Sequence, residues 1–110
     1  MTPYRIVFIT AGAEEEAVRI AKALVEQRLA ACVNIIQPVR SIYRWEGKVC
    51  DEQELMLVAK THVAQIDALM ACVEELHSYE VPEVLAIPIE SGFRPYLEWV
   101  EESCTTAGNP

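Results

Sequence analysis

The chain has 110 residues, of which 52% are hydrophobic and 24% charged. That composition suits one compact domain over residues 1–110 and excludes a disordered polymer. Nine basic against 17 acidic side chains leave a net charge of −8, which excludes the basic face that a nucleic acid or an anionic membrane requires.

The first element is a strand from Tyr4 to Thr10, where Ile6-Val7-Phe8-Ile9 forms a β-branched and aromatic run. This early apolar run is far shorter than the roughly 20 residues of a membrane span, and it runs into Glu14-Glu15-Glu16 without a secretory pattern. The expected location is therefore cytoplasmic. Those glutamates sit where carboxylates favour a helix N-terminus. Ala17, Ile20, Ala21, Leu24 and Val25 then recur at helical spacing, which predicts a helix over 13–29.

Ala31 to Trp45 reads as a long extended segment. Pro38 has no N–H for a ladder and predicts a bend or bulge there, or an edge position. Glu46-Gly47 is a tight turn, and Lys48 to Thr61 is the return strand. Its polar start, Cys50-Asp51-Glu52-Gln53-Glu54, predicts a hairpin tip that extends beyond the body of the domain. Val63, Ile66, Leu69, Met70, Val73 and Leu76 mark a second helix over 63–77. A connector through Val81-Pro82 leads to a strand over 84–89, a short helix over 94–103 tolerates Pro95 in its first turn, and a small polar tail over 105–110 is expected to be mobile. The order β-α-β-β-α-β plus one helix predicts an α+β, ferredoxin-like antiparallel sheet with two helices on one face.

Chemistry is sparse in this pattern. The serines 41, 78, 91 and 103 lie in no nucleophile-elbow context, and His77 beside Ser78 is adjacency rather than hydrogen-bond geometry. The four glycines are scattered, so no phosphate-cradling loop forms. Cys32, Cys50, Cys72 and Cys104 make no C-x-x-C pair, which points to idle thiols rather than a disulfide framework or a zinc site. The chain reads as non-enzymatic. Its most unusual feature is Tyr43-Arg44-Trp45-Glu46-Gly47-Lys48, two large aromatics near a hairpin tip. Aromatics and arginine are enriched at interfaces, and a projecting strand edge invites pairing with another chain.

Several blocks together are similar to the CutA divalent-cation tolerance family. They are Ala31-Cys32-Val33-Asn34-Ile35, Ser41 to Lys48, Lys60-Thr61, His77-Ser78-Tyr79-Glu80-Val81-Pro82-Glu83 and Tyr96-Leu97-Glu98-Trp99. The resemblance runs from about Tyr4 to about Glu102. It implies the ferredoxin-like fold and a tight homotrimer similar to the PII signalling proteins, in which long hairpins extend a neighbour's sheet. It also implies tolerance of copper and other divalent metals. The family's copper ligands would be a cysteine ending the first strand and two adjacent histidines, and the matching positions are Ile9, Leu76 and His77. Only His77 matches, so the resemblance leaves His77 as the one candidate metal ligand and implies weak copper binding. Tyr43, Trp45, Lys60, Tyr79, Glu83, Tyr96 and Trp99 are implied to form a pocket or interface between subunits. A PII-like small-metabolite sensor is the alternative, but it needs a long mobile loop where Glu46-Gly47 leaves two residues. An acylphosphatase-like hydrolase needs a basic anion loop, and Thr10 to Glu14 contains no arginine or lysine.

Overall fold

The computed structural model describes residues 2–105. The tail expected over 105–110 lies, beyond Thr105, outside the described residues. The chain runs β1 (Tyr4–Ala11), α1 (Glu14–Glu26), β2 (Cys32–Trp45), β3 (Lys48–His62), a 3₁₀ turn (Val63–Gln65), α2 (Ile66–Leu76), β4 (Val84–Pro88) and α3 (Arg94–Cys104). The sheet order is β2-β3-β1-β4, and every neighbouring pair is antiparallel. β1 and β2 therefore run parallel on either side of β3 with α1 crossing between them, which is the ferredoxin-like split βαβ arrangement.

Alternation in the strands decides what is buried. Val7, Ile9 and Ala11 of β1 and Leu55, Leu57 and Ala59 of β3 turn to one face. There they meet Ala17, Ile20, Ala21 and Leu24 of α1 and Leu69, Cys72 and Val73 of α2 in a common core. Both helices thus lie on one face, as the periodicity predicts. α1 ends three residues before the expected Leu29, because Arg28 adopts a left-handed φ of 61° and the Leu29 and Ala30 amides both turn back to the Leu24 carbonyl. The predicted second helix begins instead as a 3₁₀ turn, capped where His62 Nδ1 accepts from the Ala64 amide at 3.0 Å. α3 closes one end of the sheet. Val100 and Cys104 bury against Ala31 and Tyr4, the Tyr4 hydroxyl donates to Glu101 at 2.9 Å, and Gln65 Nε2 donates to the Cys104 carbonyl at 2.8 Å. All four cysteines are free thiols.

The hairpin projects as its polar sequence suggests. β1 pairs only with Leu55–His62 of β3, so Lys48 to Glu54 have β2 alone as a partner. Glu46 and Gly47 both take positive φ, 51° and 81°, the geometry that a two-residue turn needs to match strand twist. The register breaks between Ile36 and Val39 around a cis Gln37–Pro38 peptide, placing the expected bulge where the hairpin leaves the body. No described helix is long and apolar enough to cross a membrane.

Candidate functional site

A cleft of about 630 Å³ opens where the hairpin base meets the connector between α2 and β4. The hairpin supplies Ser41, Ile42, Tyr43, Trp45 and Glu54. The connector supplies Tyr79, Glu80, Val81 and Glu83, and Thr10 of β1 forms part of the floor. None of these ten lining residues is basic.

The connector has no regular secondary structure from Ser78 to Glu83, yet buried polar contacts hold its start. The His77 side chain is fully buried. Its Nε2–H donates to the Thr10 carbonyl at 2.7 Å, and its Nδ1 accepts from the Tyr79 amide at 3.0 Å. A carbonyl can only accept and an amide N–H can only donate, so this is the neutral ring with its proton on Nε2. Glu16, in the first turn of α1 and 7% exposed, accepts the Ser78 amide at 3.0 Å through Oε1. Its Oε2 lies 3.5 Å from His77 Nδ1 and has no hydrogen-bond partner.

The Tyr79 ring stacks at a tilt on His77, with centroids 4.6 Å apart. Its hydroxyl donates to Glu54 Oε2 at 2.6 Å. Gly12 makes room for it, since a Cβ there would stand 2.8 Å from the Tyr79 hydroxyl oxygen. On the hairpin the Tyr43 hydroxyl donates to Glu52 at 2.5 Å, while Arg40 and Asp51 form a two-bond ion pair at 2.9 and 2.7 Å.

The structure divides the residues singled out from sequence. Tyr43, Trp45, Tyr79 and Glu83 share the cleft. Lys60 does not reach it; its Nζ bonds Asn34 Oδ1 and lies 3.9 Å from Cys32 Sγ. Tyr96 and Trp99 stack on each other along α3 with centroids 5.5 Å apart, away from the cleft lining. His77 lies beneath Tyr79 rather than in the cleft lining. Thr10, Ser41 and above all Glu54 are cleft residues that sequence patterning did not single out for the site. Only the strand register, which sets Val39 opposite Glu54, places Glu54 at the hairpin base.

The residues from 5 to 103 match the CutA1 divalent ion tolerance protein family. The chain belongs to that family. It is 52% identical over 98 residues to the divalent-cation tolerance protein CutA of Thermus thermophilus, covering 89% of this chain and 95% of that one. It is 44% identical to the mouse protein CutA over 93% of this chain, but spans only 58% of the mouse protein's length. Among solved structures, the Thermus thermophilus Cut A1 superposes with a TM-score of 0.90 at 50% identity, over 93% of this chain and 99% of that chain. A protein described as periplasmic CutA from Archaeoglobus fulgidus does so at 41% identity, also with a TM-score of 0.90, over 93% and 99% of the two chains.

The family's metal connection meets a donor set that does not suit a tightly held ion within one chain. Both His77 nitrogens are engaged, and no group of three or more His, Cys, Asp or Glu side chains among the described residues is placed to hold a metal. Coordination by His77 would cost one of its two buried hydrogen bonds.

All four tyrosines are held above the usual tyrosine pKa of about 10. A hydrogen bond to Glu52 does this for Tyr43 and one to Glu101 for Tyr4. Burial, reinforced by Glu54, does it for Tyr79, and burial beside Cys32 does it for Tyr96. The unfolded chain therefore loses these protons first as pH rises. The stability they contribute is complete below about pH 10 and falls above it. Spectrophotometric titration is expected to show no tyrosine ionising at the ordinary value in the folded protein, and urea midpoints should fall as the pH rises above about 10. Normal titration of Tyr79 would show that the ring is not buried against Glu54 as described.

Proposed function

We propose that the chain works as a cytoplasmic homotrimer of the divalent-cation tolerance type, with residues 1–110 as one domain, the cleft as its functional site, and no catalysis of its own. The observation that carries the assembly is the apolar surface left open along the two edge strands, each of which has one unpaired side. Ile36 on edge strand β2 is 50% exposed, and Leu85 and Ile87 on edge strand β4 are 56% and 46% exposed. Tyr43 and Trp45 stand out on the hairpin, and Tyr96 and Trp99 on α3. Exposed edges with apolar flanks are templates for pairing, and a cyclic assembly closes them without leaving a free one. Relatives that share the family name support the tolerance role. Four free thiols support a reducing compartment.

The non-enzymatic reading is supported by where the one buried histidine spends its nitrogens. They go to Thr10 and Tyr79, not to Ser78, so no nucleophile–base pair forms there. The two-residue turn at Glu46-Gly47 offers none of the long loop on which a PII-like sensor would depend. Metal binding is expected to be weak and carried by carboxylates.

Light scattering at low micromolar concentration is expected to give about 37 kDa, three times the 12.3 kDa chain. Trp99→Ala, on α3 and outside the cleft lining, should shift the assembly towards smaller species, because an aromatic buried at a contact centre often dominates association. A stable 12.3 kDa wild-type monomer would contradict the assembly. Calorimetry with copper(II) should give a Kd of about 1 μM or weaker, little changed by His77→Ala. Nanomolar stoichiometric binding would contradict the weak-metal reading.

A further inference from the structure

We propose that the cleft takes an aliphatic polyamine, a flexible chain bearing two or more primary or secondary ammonium groups. The inference rests on the reading of this cleft as the functional site and names the class of ligand it holds.

Three observations converge. The first is an acceptor that faces the cleft. Glu54 is 5% exposed and lines the cleft. One of its carboxylate oxygens accepts from Tyr79, and no described residue supplies a partner for the other. That second oxygen is open to the cleft, on a carboxylate that is otherwise buried, and can take a charge-assisted hydrogen bond from an ammonium there. The second is the wall. Tyr43, Trp45 and Tyr79 present aromatic surface to the same space, and aromatic faces attract cations while packing against methylenes. The third is the charge pattern. Glu80 and Glu83 line the connector side, no lining residue is basic, and the chain carries −8. Nothing in the cleft would neutralise a cation before it arrives, and like-signed lining focuses the field.

The same features discriminate among cations. A divalent metal is a point charge that needs several ligands within about 2.0–2.6 Å, and the described residues offer no such cluster. Carboxylates spread over a cleft of about 630 Å³ suit a charge that is itself spread along a chain. A quaternary ammonium matches the aromatic wall but has no N–H for Glu54. An ammonium that donates to Glu54, with methylenes along Trp45 and Tyr43 and a second charge near Glu80 and Glu83, uses every carboxylate the cleft presents.

The test is calorimetry of the full chain with spermidine, tetramethylammonium and magnesium chloride at matched ionic strength. Spermidine should bind saturably, and tetramethylammonium and magnesium at least about tenfold more weakly. Glu54→Gln keeps an acceptor for Tyr79 but turns an amide NH2 towards the ligand, and should weaken spermidine about tenfold, the loss of one charge-assisted hydrogen bond. Circular dichroism and urea melts establish that this variant folds. Because Glu54 is buried, Glu83→Gln on the cleft rim serves as the second variant and should weaken binding about threefold. Magnesium equal to spermidine, or spermidine binding unaltered in both variants, would overturn the proposal. Light scattering on the same samples separates the two readings. A trimer that binds no spermidine refutes the polyamine site alone, while a monomer that binds it refutes the assembly alone.

Discussion

The cleft depends on how a segment without regular secondary structure is held still. The connector after α2 has no ladder to fix it, so its first amides are satisfied by side chains instead. Glu16 takes the Ser78 amide and His77 takes the Tyr79 amide, while the other His77 nitrogen ties the segment to the Thr10 carbonyl. Glu16 sits in the first turn of α1, where the helix N-terminus offsets part of the cost of burying a carboxylate. Three elements that are distant in sequence, β1, α1 and the connector, are thereby joined through two buried side chains. Tyr79 then reaches Glu54 and couples the connector to the hairpin base. Without these contacts the cleft would have one wall rather than two.

This arrangement separates the core from the cleft along the chain. The core between the sheet and α1 and α2 is largely aliphatic, built from Val7, Ile9, Ile20, Leu24, Leu57, Leu69 and Val73. Aromatic and charged side chains collect instead on the hairpin, the connector and α3, where burial within one chain is incomplete. Large exposed aromatics of this kind are hard to explain in an isolated small domain and suit either a ligand or another copy of the chain. The tautomer of His77 belongs with the core side of this division. A ring whose two nitrogens both hold backbone groups is a structural tie.

Most of the fold was legible because hydrophobic periodicity and turn chemistry agree. Helical spacing from Ala17 to Val25, the apolar run at Ile6 and the Pro38 and Gly47 punctuation each correspond to an observed element. The misplaced end of α1 is a local event at Arg28, whose left-handed backbone no composition signal marks. The site was legible in part. Tyr43 and Trp45 stood out because aromatics at a hairpin tip are unusual, and Tyr79 and Glu83 joined the candidate pocket through family resemblance. Glu54 could not be found without knowing where β3 leaves β1. Lys60 was grouped with the cleft although it lies six residues further along β3 than Glu54, about 20 Å at strand rise. Glu16 was read as one of three equivalent helix-start carboxylates, whereas burial and the Ser78 amide set it apart.

Amide hydrogen exchange across the connector tests this account most directly. The Ser78 and Tyr79 amides are donors to buried side chains, while those of Glu80 and Val81 have no partner among the described residues. Slow exchange at Ser78 and Tyr79 beside fast exchange at Glu80 and Val81, with the Ser78 protection lost in Glu16→Ala, is the predicted result. Uniformly fast exchange from Ser78 to Val81 in the wild type would contradict a connector pinned by Glu16 and His77, and with it a preformed cleft.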